Sequence, residues 1–165
     1  IMTTEPKFIP NEAVEISLGD NAHLKVRMID CVGYIVDSSL GYVEDNEPRM
    51  VTTPWFDHPI AFNEAAEIGT KKVICEHSTI GLVVTTDGTI TEIDRNDYVD
   101  AENRVINELK AINKPFIVLL NSVAPNSQSA QNLKAELEAK HGVPVVAVNC
   151  EELNATDIHL SLIHI

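Results

Sequence analysis

The sequence predicts an α/β protein built on a three-layer, doubly wound and mostly parallel sheet. Three observations carry that prediction. Short continuous apolar runs recur at 79–86, 116–120 and 144–148, the pattern of strands covered on both faces. Helix-spaced apolar positions fill the intervals between and before them, and strand–helix alternation of this kind favours a parallel sheet. The runs end in polar residues, Asp87, Asn121 and Asn149, where open α/β sheets bind their ligands.

The elements follow in order. Residues 1–10 read as extended or loop, because Pro6 and Pro10 hold the residues before them out of the helical region. Residues 13–18 alternate, Gly19-Asp20-Asn21 supplies turn chemistry, and 23–29 is a second strand. This hairpin delivers Asp30, and Gly33 three residues later completes D-x-x-G. A buried strand ending in that motif is how nucleotide-hydrolysing P-loop domains place an acid near Mg²⁺ and a glycine N–H near the terminal phosphate. A strand followed by a capped turn would look the same, so the motif alone decides nothing.

The segment 34–57, with an acidic patch at Glu44-Asp45-Asn46-Glu47, is long for a connection in a compact domain. Pro59 opens a helix through Ile60, Ala61, Ala65, Ile68, Val73 and Ile74, weakened at Gly69 and ended by His77-Ser78. Residues 79–86 form a strand expected to be buried on both faces, with Asp87-Gly88-Thr89 as its exit turn. Residues 94–112 form a helix with Tyr98, Ala101, Val105, Leu109 and Ile112 on its apolar stripe, broken by Lys114-Pro115. A buried strand at 116–120, a helix at 128–141 closed by Gly142, and a strand at 144–148 complete the alternation.

Composition narrows the function classes. Of 165 residues, 44% are hydrophobic and 22% charged, as in globular domains, and the net charge is −13. Such an acidic surface disfavours nucleic acid and anionic membranes as partners. It leaves nucleotide binding open, since Mg²⁺ and backbone N–H groups can carry phosphates. Cys31, Cys75 and Cys150 lack metal-ligand spacing and read as buried thiols. No apolar run matches a bilayer's thickness, so direct membrane insertion by this segment is not expected. The chain opens on Ile1 rather than Met, and is expected to begin inside a longer protein.

The strand exits Asp30, Asp87, Asn121 and Asn149 are expected to share one edge of the sheet. There is no G-x-S-x-G to make a hydrolase nucleophile and no GxGxxG to open a dinucleotide site. His58, His77 and His141 sit at helix edges and read as surface or cap residues. The phosphate cradle G-x-x-x-x-G-K-[ST] is absent. In P-loop proteins it lies upstream of the Thr segment and D-x-x-G, so a chain starting just before Thr3-Thr4 would lack it.

Seven stretches carry a specific resemblance: 1–8 (IMTTEPKF), 30–34 (DCVGY), 48–55 (PRMVTTPW), 64–74 (EAAEIGTKKVI), 76–81 (EHSTIG), 85–90 (TTDGTI) and 114–123 (KPFIVLLNSV). Together they resemble the stage IV sporulation protein A family of spore-coat morphogenetic ATPases. The resemblance covers about residues 1–157, and the tail 158–165 departs from it.

The resemblance implies a GTPase-like P-loop domain, here without its phosphate-loop strand and first helix, that hydrolyses ATP with Mg²⁺. Its cycle would drive self-assembly into a polymer, the basement layer of the spore coat. That layer lies on the forespore surface in the mother-cell cytoplasm, beside other coat and membrane-anchoring sporulation proteins. Thr3 and Thr4 match the switch I threonines and are implied as catalytic, Thr4 also as a metal ligand. Asp30 matches the Walker B acid that holds Mg²⁺, and Gly33 the glycine whose N–H reaches the γ-phosphate. Tyr34 stands where many GTPases carry a water-positioning Gln, so turnover is expected to be slow.

Asn121 and Ser122 match the start of the guanine-reading N-K-x-D, but Asn121-Ser122-Val123-Ala124 lacks both its Lys and its Asp. Losing a paired contact of that type typically costs about 10⁴-fold in discrimination. Guanine specificity is therefore not expected, and adenine preference is implied by the family alone. A non-catalytic assembly scaffold and, less favoured by these residues, a small regulatory GTPase stand as alternatives. In GTPase-like sheets the phosphate-loop strand lies between the Asp30 strand and the 79–86 strand. Without it, the chain is expected either to close those two strands together or to be poorly stable, and to be inactive by itself.

Overall fold

The computed structural model describes residues 6–17, 23–36, 38–39, 43–44 and 47–153. Thr3, Thr4, the turn at Gly19–Asn21, the centre of the acidic patch and the tail 158–165 lie outside the described residues. The chain divides into two compact units, residues 1–35 with 39–78, and residues 36–38 with 79–165.

The first unit opens with an antiparallel ribbon of β1 (Lys7–Ser17) and β2 (His23–Asp30). Two expectations change here. Strand structure begins at Lys7 and runs through Pro10, with the register shifting between Ile9 and Val14. Such a shift is where a strand accommodates a proline that cannot donate to the ladder. The ribbon is also not buried: Met28 is 59% and Ile9 52% exposed. Among the described residues β2 pairs with β1 alone, in a sheet of two strands.

Three short pieces follow. β3 (Val43–Glu44) pairs with β4 (Glu47–Pro48), and β5 (Met50–Val51) with β6 (Ile60–Ala61), both antiparallel. The Phe62 N–H donates to the Arg49 carbonyl at 2.8 Å, docking the start of α1 (Phe62–Lys72) onto this turn of chain. Phe62, Ala65, Ala66, Gly69 and Thr70 are buried, a face set by helical spacing. One wider, π-helical turn, Val73–His77, extends the helix and closes with Ser78 N–H on the Val73 carbonyl at 2.9 Å.

The second unit is a three-stranded parallel sheet in the order β7 (Gly81–Thr86), β8 (Phe116–Asn121), β9 (Val145–Val148). A 3₁₀ turn (Arg95–Tyr98) and α2 (Val99–Ala111) connect the first two strands, and α3 (Gln128–His141) the last two. These are the two crossover units that the alternation predicts. Ser127 caps α3 by accepting the Ala130 N–H at 3.3 Å. Gly142 ends it in the left-handed conformation at φ 61°, where glycine avoids a Cβ penalty.

The β8 strand is buried along Phe116–Leu120, as its continuous apolar run requires. The expectation for β7 fails. Val83 and Thr85 are buried, but Leu82 and Val84 are 46% and 57% exposed. Successive side chains of a strand face opposite sides, and the two faces of β7 are not equally covered. Among the described residues β2 is bonded to β1, and β7 to β8. The α2 stripe also shifts, to Glu102, Ile106 and Leu109, while Ile112 is exposed. Among the described residues no helix is long and apolar enough to cross a membrane.

Candidate functional site

Parallel register brings three strand ends level. Thr86 lies beside Asn121, and Asn121 beside Val148. Asn121, which ends β8, and the residues that follow the other two strands, Asp87 and Asn149, therefore emerge along one edge, as expected for three of the four polar strand exits. Asp30 belongs to the other unit and ends a strand bonded to β1 alone.

This edge is held by side chains bonding to backbone. Asn121 Oδ1 accepts the Cys150 N–H at 2.9 Å, tying the β8 exit to the β9 exit. Ser122, with no exposed surface, donates its own N–H to the Val148 carbonyl at 2.9 Å. Its Oγ accepts the Ala124 N–H at 3.1 Å. Asp87 Oδ1 accepts both the N–H and the hydroxyl of Thr89, at 3.0 and 2.6 Å. Thr89 Oγ1 in turn accepts the Val123 N–H at 3.1 Å. Partial burial opposes ionisation of Asp87, but hydrogen bonds from Ser122 and Thr89 outweigh it and hold its carboxyl below the usual range. Burial pushes the Cys150 thiol up, so it stays protonated near neutrality.

In the first unit, Asp30 is exposed at the end of β2, opposite Lys7. Gly33 takes φ 79°, a conformation suited to glycine. Its N–H donates to Thr70 Oγ1 at 3.0 Å, so this amide is held by α1. Burial raises the Cys31 thiol's pKa, with Asp30 adding to the rise, against opposing hydrogen bonds from Thr70 and Gly33. Among the described residues no three His, Cys, Asp or Glu side chains cluster as a metal cage. Mg²⁺ in nucleotide sites needs none, since one or two carboxylates, waters and phosphates complete its shell. An exposed Asp30 fits that modest demand.

Beneath the edge in the second unit lies a charged cluster that sequence patterning missed. Glu102, with a side chain only 1% exposed, accepts Arg95 Nη2 on both oxygens at 2.9 and 2.8 Å. Thr85 Oγ1 donates to it at 2.7 Å. His141, expected at the surface or in a cap, is buried with Nε2 3.9 Å from Glu102, too far for a hydrogen bond. The one signal in the sequence is spacing. Glu102 stands four residues before Ile106, on the buried stripe.

The chain matches the family model of the stage IV sporulation protein A ATPase domain across residues 1–165. It is 53% identical over 159 residues to stage IV sporulation protein A of Bacillus anthracis. Identity is 51% over 158 residues to that of Bacillus subtilis (strain 168), and 54% over 158 residues to that of Clostridioides difficile (strain 630). Each alignment takes in 96% of this chain and 32% of the relative, so the chain spans about a third of their length. No solved structure matches it. A parallel sheet with its polar exits on one edge and a full-length match at this identity lead to one statement: the chain belongs to the stage IV sporulation protein A family, through its ATPase domain.

Proposed function

We propose that this chain is part of an ATP-hydrolysing morphogenetic protein of sporulation. Its nucleotide cycle would drive self-assembly of the layer on which the spore coat is built. The observation that carries the reading is the match to the ATPase domain from the first residue to the last. The rest of the machinery, including the glycine-rich phosphate cradle with its strand and helix, is assigned to the parent protein, as a GTPase-like, doubly wound sheet requires.

In this reading Asp30 holds Mg²⁺, Thr4 joins it, and Thr3 and Thr4 orient the attacking water. The ion that Asp30 and Thr4 would hold would supply positive charge against the phosphates' negative charge. Gly33 would turn its N–H from Thr70 to the γ-phosphate. Asn121 lines the base side of the site, and buried Ser122 acts by shaping the loop beside it. Neither Val123 nor Ala124 offers a carboxylate to a guanine edge, which supports a nucleotide choice other than GTP. The parent works in the mother-cell cytoplasm at the forespore surface, with copies of itself and other coat proteins as partners.

The test is ATP and GTP turnover by the intact parent with and without Asp30→Ala. ATP hydrolysis with GTP disfavoured, reduced by about 10²-fold or more in the variant, is the expected result. Equal turnover in the variant removes Asp30 from the mechanism. No turnover of either nucleotide in the unsubstituted protein favours the non-catalytic scaffold.

A further inference from the structure

We propose that Asp87 and Thr89 are positioning residues for the base side of the nucleotide site, holding the 122–124 loop in place from the neighbouring strand exit. The inference rests on the function proposed above, and assigns a role to residues of the β7 exit.

The geometry is a relay with one direction. The Thr89 hydroxyl has a single proton, and at 2.6 Å from Asp87 Oδ1 that proton is donated to the carboxylate. The oxygen's lone pairs then face the Val123 N–H, which it accepts at 3.1 Å. Asp87 itself is fixed by the Thr89 N–H and by Ser122. Ser122 is fully buried and holds the Ala124 N–H through its own hydroxyl. Three consecutive residues, Ser122, Val123 and Ala124, are thus tied by side-chain oxygens, and the chain of bonds runs back to one carboxylate. The relay needs Asp87 ionised, and its depressed pKa keeps it so at neutral pH.

Val123 and Ala124 are exposed, so core packing holds this loop at Ser122 and not beyond it. An exposed backbone segment is ordered by its hydrogen bonds or not at all. The loop directly follows Asn121, whose side chain is committed to Cys150. A base seated against Asn121 would therefore meet a loop whose path Thr89 sets.

Three full-length proteins decide the matter: the unsubstituted parent, Thr89→Val and Thr89→Ser. Equilibrium binding of ATP and of inorganic tripolyphosphate is measured for each. Thr89→Val is expected to weaken ATP about fivefold, within the range of one hydrogen bond, and to leave tripolyphosphate unchanged. Thr89→Ser, which keeps the hydroxyl, is expected to bind ATP within about twofold of the parent. Asp87→Ala should repeat the Thr89→Val pattern, and covers the case in which that variant folds poorly. Unchanged ATP affinity in both Thr89→Val and Asp87→Ala, or equal weakening of both ligands, overturns the positioning role while nucleotide binding stands. Failure of the unsubstituted parent to bind ATP overturns the proposed function, and this inference with it.

Discussion

His141 shows how one buried side chain sets a pH response. Burial lowers its pKa, and Lys140, Lys110 and Arg95 lower it further, against the opposing pull of Glu102. Lys110 also donates to the His141 carbonyl, so the helix end is fixed beside the ring. The folded state therefore binds a proton at His141 less readily than the unfolded chain, whose value is near 6.5. Its contribution to stability is complete above about pH 6.5 and falls as pH drops through that value toward the lower folded pKa. Denaturant melts at pH 7.5 and pH 5.5 are expected to show the loss, and His141→Gln to show less of it. An equal loss in the variant would place the titrating group elsewhere. The sequence presents His141 only as a polar residue at a helix end. Whether such a ring meets solvent or a buried glutamate depends on a helix 39 residues earlier in the chain.

At the scale of elements, one tight fit lies where β7 begins. The Gly81 N–H donates to the Pro115 carbonyl at 2.9 Å, starting the parallel ladder with β8. A Cβ placed on Gly81 would stand 3.0 Å from Phe116 Cβ and 3.1 Å from Leu109 Cδ2. Leu109 is on the buried stripe of α2, so strand, strand and helix converge on a position without a side chain. Gly81→Ala is expected to cost about 1–3 kcal/mol as an overpacking change, read as a lower denaturation midpoint with unchanged slope. No change would mean that Phe116 and Leu109 can move apart freely. Periodicity locates α3 and β8 well, because a capped helix and a fully covered strand have local signatures. It misassigns the α2 stripe, because Glu102 looks like a solvated residue until Arg95 and Thr85 are found beside it.

At the scale of the whole molecule, the described residues leave large apolar side chains at the surface. Ile9, Val14 and Met28 are exposed on the ribbon, and Leu82 and Val84 on β7. An isolated two-stranded ribbon is marginal in water, and each of these half-exposed side chains forgoes about half of the ~1.5–3 kcal/mol that full burial supplies. The chain alone is therefore expected to melt well below the same residues within the intact parent, by circular dichroism. Equal melting temperatures would mean that no further strand or helix packs on these faces.

The order of strands and helices, the acidic surface and the family were written in the residues themselves, because turn chemistry, periodicity and long identical stretches are local properties of a chain. So was the row of Asp87, Asn121 and Asn149, since the carboxyl ends of parallel strands lie along one edge of their sheet. That β2 is open to solvent, that one face of β7 is uncovered, and that Glu102 and His141 lie inside were decided by tertiary structure alone. Burial and pairing depend on what arrives from elsewhere in the fold, and a residue's own neighbours in sequence carry no record of it.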